Sequence, residues 1–130
     1  MDIKLQIVRE GSHWKIRQLG SGKPEPGDTI TWEFADKSGP ARAILQFPSG
    51  VFDVSEAEDP TGDERGPART LSRHNTAQLD GSEGGGRLTL QVSRHAKASS
   101  THQYAVFVMS GGQPSYAIGH NPPPEINLGP

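Results

Sequence analysis

Apolar and polar residues alternate in short bursts along this chain. Ile3, Leu5 and Ile7 alternate with Lys4 and Gln6, which predicts a strand with one buried face. After the turn Glu10-Gly11-Ser12, Trp14 and Ile16 alternate with Lys15 and Arg17, and the two segments predict an N-terminal hairpin. The stretch from Gly20 to Gly27 has the composition of an exposed loop. Ile30, Trp32 and Phe34 form the apolar face of a third strand, with Thr29, Thr31 and Glu33 opposite. Asp36-Lys37-Ser38-Gly39-Pro40 predicts a turn. A fourth strand runs from Ala43 to Phe47, stops at Pro48-Ser49-Gly50, and continues after a bend through Val51-Phe52-Asp53-Val54.

From Ser55 to Gly86 the alternation stops, and the runs 59–67 and 81–86 are rich in Gly, Pro, Asp and Ser. A connection of that length without structure is unusual in a compact domain, so a short element is expected around Arg69 to Ser72. Alternation returns at Leu88, Leu90 and Val92, followed by a small polar turn from Ala96 to Thr101. Tyr104 to Met109 is apolar on both faces, which predicts a central strand covered on both sides. Gly111-Gly112-Gln113-Pro114 turns into Tyr116-Ala117-Ile118. The run His120-Asn121-Pro122-Pro123-Pro124 must be extended, and Glu125-Ile126-Asn127-Leu128 then predicts a short edge strand. The sum, about eight short strands with turns between them, predicts an all-β fold. Its expected form is an antiparallel Greek-key β-sandwich, one domain over residues 1–130 with a long loop at 55–86.

Composition narrows this further. The chain has 130 residues, of which 32% are hydrophobic, with 16 Gly and 11 Pro, a mixture that suits strands and turns better than packed helices. The net charge of -2 indicates no broadly basic surface for nucleic acid. No apolar run is long enough for a transmembrane helix. The first residues alternate at once and lack the basic and apolar regions of a signal peptide, which predicts a cytoplasmic protein. With no cysteine, disulfides and thiol catalysis are excluded.

The strand Gly27-Asp28-Thr29-Ile30-Thr31-Trp32, the turn Gly39-Pro40 and the strand Arg42-Ala43-Ile44-Leu45-Gln46-Phe47 resemble the first half of a cupredoxin, the blue-copper β-sandwich. The resemblance implies a sandwich core around Trp32 and a copper histidine just after the Pro-containing turn. The nearest position here is Arg42, between Ala41 and Ala43. The family's remaining ligands lie between its last two strands. The comparable stretch here, Val108 to Tyr116, holds Met109 but neither Cys nor His. A blue-copper centre needs a thiolate beside its imidazoles, so this chemistry is lost while the scaffold is kept. The closing segments, Tyr104–Met109, Tyr116–Ile118 and Pro124-Glu125-Ile126, resemble the ending of small bacterial sandwich domains. An immunoglobulin-like sandwich carries the same alternation.

Candidate chemistry is sparse. Of the five histidines, His95 and His102 are expected to flank one tight hairpin and face each other across it, with His74 as a third candidate metal ligand. The simpler reading is that all are turn or surface residues. Asp53, Glu56, Glu58, Asp59, Asp63 and Glu64 form an acidic cluster without the order of a known calcium loop. Arg65, Arg69, Arg73 and His74 follow it and balance its charge. Gly84-Gly85-Gly86 precedes a strand and so lacks the helix N-terminus that binds phosphate. No serine sits in G-x-S-x-G.

Strands are well specified here while no catalytic constellation is assembled. The leading expectation is therefore a non-enzymatic binding or accessory domain, with another protein as partner and no cofactor. Its working surface is expected in the loop Ser55–Gly86 or at an exposed sheet edge that pairs with a partner strand. The alternative is a metal- or small-ligand-binding protein using His95, His102 and His74. A hydrolase built on loop residues ranks last.

Overall fold

The computed structural model describes residues 1–11, 13–35, 41–54, 75–80, 87–110, 113–118 and 124–130. These residues form ten strands and no helix: β1 (Asp2–Glu10), β2 (His13–Leu19), β3 (Thr29–Phe34), β4 (Ala41–Gln46), β5 (Thr76–Asp80), β6 (Arg87–Gln91), β7 (Thr101–Gln103), β8 (Ala105–Ser110), β9 (Gln113–Ile118) and β10 (Glu125–Asn127). The all-β expectation holds. The turn at 36–40, the element expected around Arg69 to Ser72, the Gly84–Gly86 run, the residues Gly111-Gly112 and the stretch from His120 to Pro123 lie outside the described residues.

Eight strands make one sheet in the order β5-β4-β8-β9-β2-β1-β3-β6, and β7 and β10 make a second, two-stranded sheet. The large sheet curls until its end strands β5 and β6 come together, which gives a nearly closed, barrel-like shape. The sheet is mixed rather than antiparallel throughout: β1 runs parallel to β3, and β2 parallel to β9. The geometry follows from a tight first hairpin and a long return. Glu10 pairs with His13, and Gly11 at φ +60° suits the first position of a primed hairpin turn. The chain then leaves β2 through the loop after Leu19 and re-enters on the far side of β1 in the same direction as β1.

The entry to β3 explains the Gly-Asp pair. Asp28 N–H donates to the Glu25 carbonyl at 2.9 Å, with Pro26 and Gly27 in the middle of the turn and Gly27 at φ +96°, an arrangement of the type II turn. Asp28 accepts the Glu25 N–H on its own carboxylate at 2.9 Å and closes the turn from the other side. Gly27 N–H then donates to the Val92 carbonyl, which ties this turn to the end of β6.

The alternating apolar positions face inward as the pattern requires. Ile3, Leu5 and Ile7 of β1 meet Ile30, Trp32 and Phe34 of β3, Leu88 and Leu90 of β6, Ala43 and Leu45 of β4, and Val106 and Val108 of β8 in one core. Trp32 is wholly buried at its centre. Its ring lies 5.4 Å from Phe47, 5.9 Å from Phe52 and 5.9 Å from Tyr104, and its indole N–H donates to the Tyr104 hydroxyl at 3.2 Å. Phe52 also bridges to Val92 beyond the end of β6, so the segment after Pro48 packs inside rather than hanging free. A fully buried side chain of this kind stabilises the fold by roughly 1.5–3 kcal/mol, more for an indole held by three aromatic neighbours.

Two expectations change. The stretch 55–86 was expected as loop, and it contains β5, whose Leu79 is buried while Gln78 and Asp80 are exposed. A single buried apolar residue in five makes a weak pattern against the loop-rich runs on either side. Strand β8 was expected to be covered on both faces. Val106 and Val108 are buried inward, but Met109 is exposed and Phe107 only half-buried on the outer side. Its central place in the sheet is real, between β4 and β9, yet nothing described packs over it as a layer.

The C-terminal segment clasps one end. Ile126 and Leu128 are buried, Tyr104 N–H donates to Pro124 O, Leu128 N–H to Ser100 O, Ser99 N–H to Gly129 O and Gly129 N–H to Pro24 O. These bonds join the last residues to both the 93–101 turns and the loop before β3.

Candidate functional site

The outward positions of the large sheet divide into two faces. Across β2, β1, β3 and β6 the register sets Gln6 beside Arg17 and Glu33, and Glu33 beside Arg87. Thr31 lies beside Lys4 and Thr89. These polar side chains hold one another. Arg17 donates to Gln6 at 2.7 Å, Asp2 accepts the Thr29 and Thr31 hydroxyls at 2.7 and 3.1 Å, and Thr31 and Thr89 hydroxyls meet at 2.9 Å. The Asp28 carboxylate continues this group at the mouth of β3. The Glu25 N–H, and after it the Met1 ammonium at 3.2 Å, hold the Asp28 carboxyl below the ordinary range, against an opposing effect of burial.

The other face, on β4, β8 and β9, carries an apolar row among its described side chains. Register places Ile44 beside Phe107 and Phe107 beside Tyr116, so three large apolar side chains form one row across three strands. Met109 extends it in the next row, between Phe107 and the exposed Arg42. Tyr116 is 70% exposed, Ile44 37% and Met109 36%. Phe107 meets the Tyr116 ring edge-on at 5.2 Å. Gln78 of β5 and Gln46 of β4 border the row with uncharged polar groups. Elsewhere among the described residues Met1, Leu19 and Val54 are the exposed large apolar side chains. Leu19 pairs with Lys4 at the end of the polar face. Singly exposed apolar residues are ordinary, whereas Ile44, Phe107, Met109 and Tyr116 are contiguous.

The histidines do not form the expected pair. His102 lies on β7 opposite Ile126 of β10, and His95 lies in the turns before β7, outside any strand. No hairpin therefore carries both, and they do not face each other across one. His95 is exposed, with its N–H donated to Ser93 Oγ at 3.1 Å. His74 and the acidic and basic clusters from 55 to 74 lie outside the described residues, apart from Asp53, whose N–H donates to Gln91 O. Among the described residues no group of three or more His, Cys, Asp or Glu converges on a point where an ion would sit.

One contact near His102 resembles a nucleophile and base: Ser100 Oγ lies 2.7 Å from His102 Nε2. The hydroxyl has a single proton, and Ser100 Oγ also donates to the Lys97 carbonyl. With that proton committed, Nε2 is the donor to Ser100, which is the wrong direction for general-base activation. Ser100 is thus a turn residue closing the 97–100 bend, and the hydrolase expectation gains nothing from it.

Arg42, nearest to the copper histidine that the cupredoxin resemblance implies, stands exposed on β4 opposite Asp80 and Met109. Met109 is exposed on the same face. Among the described residues Tyr104 is the buried titratable group: burial pushes its phenol well above the ordinary range, while the Trp32 N–H acts in the opposite direction. It is a core residue rather than an acid or base in a cleft.

The sequence signal for the apolar face was present in Tyr104 to Met109, where both faces of the strand are apolar. A strand buried on both faces gives the same pattern as one with an exposed apolar face, so the sequence alone predicts two covered faces. The described residues hold no helix long and apolar enough to cross a membrane. The chain matches no protein-family model, no curated protein and no solved structure.

Proposed function

We propose that this chain is a non-enzymatic binding domain that acts through protein–protein contacts, with the outer face of β4, β8 and β9 as its working surface. The observation that carries this reading is the registered row Ile44, Phe107 and Tyr116 with Met109 beside it, Phe107 half-buried and the other three exposed, on a chain whose opposite face is mostly polar. Tyrosine and methionine are enriched at interfaces, and Tyr116 offers a large ring braced by one edge-on contact with Phe107. The scaffold we infer is a cupredoxin-like sandwich that lacks copper ligands, with β6-β3-β1-β2 and β5-β4-β8-β9 as its two layers. That reading is supported by the Trp32-centred core of the strand that opens at Gly27-Asp28, and by the absence of any cysteine.

The surface differs from the one expected in the loop at 55–86, and the two are separable by experiment. The test is capture of binding partners by the intact chain, by Tyr116→Asp and by a deletion of residues 56–72 that spares β5. A protein retained by the intact chain and the deletion, and lost from Tyr116→Asp, supports the sheet face. Retention by Tyr116→Asp with loss from the deletion assigns the function to the loop instead.

A further inference from the structure

We draw no further inference here: the strongest candidate, the exposed apolar row of Ile44, Phe107, Met109 and Tyr116 on the outer face of β4, β8 and β9, belongs to the surface already proposed for protein contact, and nothing in the structure shows what covers it.

Discussion

The two outer faces of the large sheet obey one pattern and end in opposite chemistry. On both, inward residues alternate with outward ones, and the inward residues join the same core. On β2, β1, β3 and β6 the outward side chains are mostly Lys, Gln, Arg, Thr and Glu, with Val8 and Leu19 among them, and the polar ones meet through Asp2, Thr31, Thr89 and the Gln6–Arg17 pair. On β4, β8 and β9 the same positions hold Ile44, Phe107, Met109 and Tyr116. The inward half of each strand builds the core, while the outward half tolerates either chemistry, so the apolar row sits where burial alone does not require it.

The largest effects should be common to both halves, because they share one core. Trp32→Ala removes the ring that Phe47, Phe52 and Tyr104 pack against and is expected to cost about 3–5 kcal/mol. Leu45→Ala on one half and Leu90→Ala on the other, both wholly buried, should each cost roughly 2–5 kcal/mol in urea unfolding. A much smaller cost for either leucine would mean that the halves are separate units. Tyr104 sharpens the same point. Its folded-state pKa is raised, so its contribution to stability is complete below the ordinary tyrosine value of about 10 and is lost as pH rises above it. In Tyr116→Phe, where Tyr104 is the remaining tyrosine, phenolate absorbance at 295 nm should appear together with loss of the folded circular dichroism signal. Titration of the folded protein well before unfolding would contradict the buried placement.

Middle-sized effects should be confined to the polar face. Thr31→Val deletes a hydroxyl shared between Asp2 and Thr89 and is expected to cost about 1 kcal/mol. At Asp28 the folded-state pKa is lowered, so its stabilising contribution is full above the ordinary aspartate value of about 3.9 and is lost as pH falls below it. The stability gap between the intact chain and Asp28→Asn should therefore be constant from pH 7 to 5 and shrink below about pH 4. A gap that persists at low pH would assign the effect to the turn geometry alone.

The smallest stability effects are expected on the apolar face. Ile44→Thr and Tyr116→Ser remove largely exposed surface and one edge-on ring contact, so each should change unfolding free energy by no more than about 1 kcal/mol. A cost of several kcal/mol would show that this row serves the fold, and the contrast between the two faces would lose its functional meaning.

Much of the fold was legible in the residues. The inward sets Ile3-Leu5-Ile7, Ile30-Trp32-Phe34 and Leu88-Leu90 announce themselves by strict alternation, because one buried face imposes period two. Parallel pairing of β1 with β3 and of β2 with β9 was not legible, since alternation is the same in either direction. Strand β5 was hidden because its pattern rests on Leu79, and its neighbours supply loop-like composition. The histidine pair misled through spacing: His95 and His102 are seven positions apart, but the chain between them turns without forming the first strand of a hairpin. The apolar face is half legible in the sequence, since Phe107 and Met109 are visibly apolar but a covered strand gives the same pattern.

The most direct test of the central claim is photo-cross-linking in the native cell. A photoreactive phenylalanine is placed at position 116 on the apolar face in one variant and at position 17 on the polar face in another, both exposed. The account predicts a discrete covalent adduct with a partner protein from position 116 and none from position 17. Equal labelling from both positions, or a discrete adduct from position 17 alone, would contradict it.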